Sequence, residues 1–263
     1  MDKKLAEYLW TARWAVKSNK PDLAYEEITN ALEHIGAEKP KAEVEEPDRP
    51  SNPVPDNYLK GIEEPEIVIV KGVKFKERGA YKTPSGKFSG LVVHYTVSGR
   101  KASSARAVVS WLASQGYGCM VMDEDGKIYI PEGFDIFRSW NYHAGVSKWG
   151  NASGVSNIFA GMEICCWGRN SKEGPYRESK GEANIIAGKY QTYTEAQEKS
   201  LTNFILWART KNPEFKIENV VGHDELRTAA GKKGDKQDPG ASLSMTMPSY
   251  RKHVEDTEKM LKA

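Results

Sequence analysis

The sequence predicts an α/β fold, a central mixed β-sheet flanked by helices, with a small N-terminal helical hairpin ahead of it. Three observations carry this. Apolar runs of strand length recur from about residue 66 onward, amphipathic stretches of helix length alternate with them, and a Pro/Glu-rich stretch sets off the first 35 residues. Strands interleaved with helices bury their apolar faces by packing the helices on one sheet.

The elements follow in order. In residues 1–35, Leu5, Tyr8, Leu9, Ala12 and Val16 recur at helical spacing, and Leu23, Ala24, Ile28, Ala31, Leu32 and Ile35 repeat it after a turn. Pro21 and Asp22 suit the start of that second helix. Residues 36–57 hold five prolines and many carboxylates with almost no large apolar side chains, the composition of an extended linker. Residues 58–263 are expected to form the main domain. Its strand candidates are Ile67–Val70, Leu91–Val93, Met120–Met122, Ile128–Ile130, Gly161–Trp167 and Val220–Val221. Asp125-Gly126 marks a hairpin between the third and fourth. Helices are expected at 103–114, 194–210 and 248–262, and Thr194 with Gln197 three residues on forms a capping box for the second.

Composition excludes several functional classes. With 38 Lys+Arg against 36 Asp+Glu the net charge is +2, which argues against a chain built to neutralise nucleic-acid phosphates. Residues 1–50 carry 8 basic and 11 acidic groups, so the rest stands at +5. Three cysteines cannot staple a chain of 263 residues as small secreted folds are stapled. No run approaches the ~18 apolar residues of a membrane span. The opening MDKKLAEYLWTARW lacks a long apolar run before a cleavage site, so no signal peptide is expected.

Of five histidines, His34 and His253 fall on amphipathic helical stretches and read as ordinary helix-surface or half-buried residues. His94 ends the run Leu91-Val92-Val93, and His223 ends Val220-Val221-Gly222. Ligands of open α/β sheets bind outside the carboxyl ends of strands, so both side chains can face a site. His143 lies in a polar, Gly-containing loop stretch, and Asp238 follows His223 by fifteen residues. Two imidazoles and a carboxylate form a catalytic zinc set with a fourth position open. Spacing alone leaves the alternative of unrelated hydrogen-bonding residues standing. Cys165 and Cys166, adjacent in an expected strand, would point to opposite faces. Together with Cys119 they read as buried structural thiols, and nothing local supports a Cys-His nucleophile.

Six segments in order then carry a resemblance: His94-Tyr95-Thr96, Asn141-Tyr142-His143-Ala144-Gly145, Gly161-Met162-Glu163, Tyr193-Thr194-Glu195-Ala196-Gln197, Val221-Gly222-His223-Asp224-Glu225 and Lys236-Gln237-Asp238-Pro239-Gly240. Over residues 66–263 the chain resembles the zinc-dependent N-acetylmuramoyl-L-alanine amidases, whose superfamily includes peptidoglycan recognition proteins and many phage endolysins. The resemblance implies Zn2+ as cofactor, with His94, His223 and Asp238 as ligands. It implies Glu163 as the acid that helps activate water, Lys236 as the oxyanion-stabilising cation, and His143 as a residue lining the substrate cleft. It further implies bacterial peptidoglycan as partner, no nucleic acid, no membrane insertion, and cleavage of the bond between N-acetylmuramic acid and L-alanine. An endolysin made in the host cytoplasm and acting on the wall after release is the expected setting. A cytosolic amidase recycling soluble muropeptides and a non-catalytic wall-binding module are the alternatives. The loop between His223 and Lys236 is longer than is usual in the family.

Overall fold

The computed structural model describes residues 62–262 apart from 119 and 172. The expected helical hairpin and linker, His34 and Cys119 lie outside the described residues. Apolar runs give the sheet: β1 (Ile67–Lys74), β2 (Leu91–Tyr95), β3 (Met120–Met122), β4 (Ile128–Glu132), β7 (Ala160–Ile164) and β10 (Val220–Gly222). Their order is β1-β4-β3-β7-β2-β10, and every neighbouring pair is parallel except β3–β4. The sheet is therefore mixed, as expected. The β3–β4 turn closes on Asp123, whose Oδ1 accepts from the backbone N–H of Asp125 and Lys127, while Gly126 takes a φ of +84°. That conformation favours glycine.

Four α-helices are described: α1 (Ala102–Gln115), α2 (Glu195–Lys211), α3 (His223–Ala229) and α4 (Met247–Lys262). The predicted capping box is present at α2. Thr194 Oγ1 accepts from Gln197 N at 3.0 Å, and Gln197 Oε1 accepts from Thr194 N at 2.9 Å. Helix α1 packs along β1, β3 and β4, whereas α4 packs against α2 and β10.

Alternation along the strands sorts side chains between two cores. Leu91, Val93, Met162 and Val220 enter the large one with α2 and α4, including Leu201, Phe204, Tyr250 and Val254. Val92 and Val221 point the other way, into a smaller cluster with Ala144, Val155, Phe159 and Leu226. Strands buried on both faces read as continuous apolar runs, which is why the sequence signalled them.

Differences from expectation are local. The expected strand Gly161–Trp167 leaves the sheet after Ile164, so Cys165 and Cys166 lie beyond it; both are free and buried. The segment after His223, expected as loop, begins as helix α3. Two small hairpins, β5–β6 (Lys148–Trp149 with Ala152–Ser153) and β8–β9 (Tyr176–Ser179 with Gly188–Gln191), had no sequence signal. Among the described residues no helix is long and apolar enough to cross a membrane.

Candidate metal centre

Parallel register builds the site. In β2 and β7, His94 pairs with Glu163, two steps beyond the pair Val92–Gly161. In β2 and β10 the last pair is Val93–Gly222, so His223 emerges one step further, beside His94. Glu163, His94 and His223 thus form a row across three strand ends, on the sheet face that carries Val92 and Val221. The imidazole centroids of His94 and His223 lie 4.6 Å apart.

Asp238 closes this row from the segment after α3. Its backbone oxygen accepts from Asp224 N at 2.8 Å, which pins the segment to the start of the helix. Its Oδ2 lies 2.7 Å from His94 Nδ1 and 3.1 Å from His223 Nδ1. The three donor atoms all lie within 4.8 Å of one another, and all three residues are buried. Glu225, three residues into the same motif, accepts from Gly222 N at 3.0 Å and holds Arg251 of α4 through two bonds of 2.8 and 3.0 Å.

The hydrogen-bond pattern decides where the imidazole protons sit. His223 Nε2 faces the carbonyl of Ala144 at 3.2 Å, and His143 Nε2 faces that of Phe159 at 2.9 Å. A carbonyl only accepts, so both nitrogens donate. His143 Nδ1 is then an acceptor and takes the proton of His94 Nε2 at 3.1 Å. With one proton each, placed on Nε2, His94 and His223 would have bare Nδ1 lone pairs aimed at the Asp238 carboxylate. Three acceptors converging without a proton between them call for a cation. A set of two imidazole nitrogens and one carboxylate oxygen fits zinc, with a fourth position left for water or substrate.

Electrostatics agree with that reading. Burial lowers His94 below the usual imidazole range, against the pull of the Asp238 carboxylate, and brings His143 down to about 3. Burial alone would raise Asp238, but with no cation present His223 and His94, when they carry a proton on Nδ1, hold its carboxyl well below the usual carboxylate range, a role a bound cation would take over. Burial pushes Glu163 up to about 8, with the Asp238 carboxylate adding to the effect and Lys236 opposing it.

The residues border a cleft of about 300 Å3 lined by His94, His143, Glu163, His223, Lys236 and Asp238, among others. All six residues singled out from the sequence therefore meet in one place. A second hollow of about 400 Å3 shares Tyr95 and Glu163 with it and is also lined by Trp111 of α1. Lys236 is carried on an exposed loop. Its neighbour Asp235 is ion-paired with Arg227 of α3, and that guanidinium also donates to the Val146 carbonyl. Sequence reasoning missed three supports. They are Tyr193, whose hydroxyl donates to the His94 carbonyl at 3.0 Å, the Ala144 carbonyl, and Ser156. Tyr193 and Ala144 fall inside quoted motifs; Ser156 carried no signal.

No curated protein sequence matches the chain. Solved structures that resemble it include a selenomethionine derivative of AmpD, with 17% identity over 76% of this chain and 97% of that one, at a TM-score of 0.45. The endolysin N-acetylmuramoyl-L-alanine amidase LysCS of Clostridium intestinale is 16% identical over 74% and 99%, at 0.44. The Escherichia coli amidase AmiD, solved with its substrate anhydro-N-acetylmuramic acid-L-Ala-D-γ-Glu-L-Lys, is 20% identical over 64% and 56%, at 0.39. The family profile described as N-acetylmuramoyl-L-alanine amidase matches residues 84–241, a span that holds the whole row of strand ends and Asp238. On that match the chain belongs to the N-acetylmuramoyl-L-alanine amidase family.

Proposed function

We propose that this chain hydrolyses the amide between the lactyl carbonyl of N-acetylmuramic acid and the amino group of L-alanine in peptidoglycan, with zinc held by His94, His223 and Asp238. The observation that supports it best is the row Glu163–His94–His223 closed by Asp238, within the matched span. Bound zinc supplies Lewis acidity toward a water molecule and a carbonyl oxygen.

The side chains supply the rest. With its carboxyl raised to about 8 in the metal-free site, Glu163 titrates close enough to neutral pH to serve as acid and base, and a cation bound beside it would favour the ionised form that accepts a proton. As water oxygen bonds to the carbonyl carbon, Glu163 takes a water proton. It returns that proton to the alanine nitrogen as the C–N bond breaks, leaving a muramoyl carboxylate and a free amine. The Lys236 ammonium, bordering the same cleft, offsets negative charge growing on the carbonyl oxygen. Such a donor is worth about 3–4 kcal/mol. The hollow between Glu163 and Trp111 offers room for a substrate group beside the cleft. An endolysin acting on the intact wall is the setting we favour.

The reading is tested by digesting purified sacculi and soluble muropeptides side by side, with chelator and then with added zinc. Release of L-alanine amino termini that stops with chelator and returns with zinc is expected, with sacculi cleaved readily. Wall binding without new amino termini would overturn the hydrolase, full activity of D238A would overturn the zinc site, and cleavage confined to soluble fragments would overturn the endolysin setting.

A further inference from the structure

Two adjacent residues in the loop between β4 and β5 reach both imidazoles of the metal set. The His143 side chain receives the His94 Nε2 proton, and the Ala144 carbonyl receives the His223 Nε2 proton. The loop itself is anchored, because Ser156 Oγ accepts from His143 N at 3.2 Å and from Ala144 N at 2.9 Å. Ser156 is buried, and its backbone oxygen takes the Trp140 indole N–H at 2.7 Å. The far side of the His143 ring is held by the Phe159 carbonyl. Room for the ring comes from β7, where a Cβ on Gly161 would stand 2.7 Å from His143 Cγ and 2.9 Å from its Nδ1. Both nitrogens of His143 are engaged, which leaves neither free for substrate.

We infer that His143 and Ala144, pinned by Ser156, form one brace that fixes the tautomer and tilt of both metal-ligating histidines, with His143 as a positioning residue for His94. This rests on the zinc reading above and deepens it. The requirement is directional: His94 can present its Nδ1 lone pair only if an acceptor takes the proton on Nε2. His143 is such an acceptor only while its own Nε2 proton is committed to Phe159. Outer partners of this kind orient metal-bound imidazoles and raise their basicity, and losing one costs about 10- to 100-fold in metal affinity.

The experiment uses the full chain and measures zinc dissociation constants by chelator competition for wild type, H143N and H143L, with the visible spectrum of the cobalt-loaded forms and the melting temperature of each metal-free protein alongside. Asparagine places an acceptor oxygen where Nδ1 stands; leucine places none. We expect H143L to bind zinc about 10- to 100-fold more weakly with an altered cobalt spectrum, and H143N to stay within about threefold of wild type. Should H143L fail to fold, H143Q takes its place, since glutamine puts its polar end nearer the Nε2 position, and the same loss is expected. Zinc affinity unchanged in H143L or H143Q, or lost equally in H143N, overturns the brace alone. A wild-type chain that takes up no zinc overturns the metal reading and the brace with it.

Discussion

Glu163 makes a quantitative prediction for the metal-free protein. Its carboxyl is raised from an ordinary 4.5 to about 8, chiefly by burial. Below pH 4.5 the group is neutral in folded and unfolded chains alike, so whatever stability it contributes is fully present. As pH rises, the unfolded chain releases its proton while the folded chain keeps it, and stability falls until pH passes about 8. At roughly 1.4 kcal/mol per pH unit the ceiling is about 5 kcal/mol. E163Q stays neutral throughout and removes this term. The comparison is urea unfolding by tryptophan fluorescence from pH 5 to 9, chelated, for both proteins. Asp224, also pushed up to about 8 by burial, and the lowered His94 and His143 are common to both and drop out of the difference. Stability of E163Q relative to wild type should rise with pH and level off above about pH 8, and zinc should flatten the rise by favouring the ionised carboxylate. Parallel pH profiles would refute the claim that burial governs this carboxyl.

Three further substitutions test the scaffold. R251A strands the buried Glu225 carboxylate, which keeps only the Gly222 N–H, and should cost about 3–5 kcal/mol in denaturant unfolding. The double variant E225Q/R251M should lose less, and equal losses would show that the pair is not what matters. T194A removes the α2 cap and the 2.7 Å bond from Thr194 to the Glu124 carbonyl; a loss of about 1–2 kcal/mol by thermal melting is expected. G90A would place a Cβ 2.5 Å from the Asn219 carbonyl oxygen and 2.7 Å from Phe159 Cδ1. It should cost about 3 kcal/mol or more, and a wild-type melting temperature would contradict that crowding.

Much of this was legible in the sequence because the strands that carry the site are buried on both faces and so are written as plain apolar runs. The Asp125-Gly126 turn and the Thr194/Gln197 cap are local devices that a sequence displays directly. Helix α3 was hidden for the opposite reason. Seven residues are too few for a periodic pattern, and it is held by tertiary partners, Leu226 in the smaller core and Glu225 on Arg251. The hairpins β5–β6 and β8–β9 are two to four residues long and largely polar. The six site residues could be picked out by type and motif order, but strand order could not. The row of Glu163, His94 and His223 depends on β2 lying between β7 and β10, which no local pattern announces. Ser156 acts through a single hydroxyl on two backbone amides, and one serine in a loop carries no mark of that role.

The parallel placement of β2 between β7 and β10 also bears on the order of events in folding. His94 and Asp238 are 144 residues apart in the chain, and β2 has no hairpin partner that could hold it locally. Contacts of such long range form late, after the cost of closing large loops has been met. Intermediates with only the β3–β4 hairpin and α2 in place therefore have no converging set of ligands to offer an ion. If the site takes up zinc as proposed, metal uptake would report that β7, β2 and β10 have come together, because only then do His94, His223 and Asp238 converge.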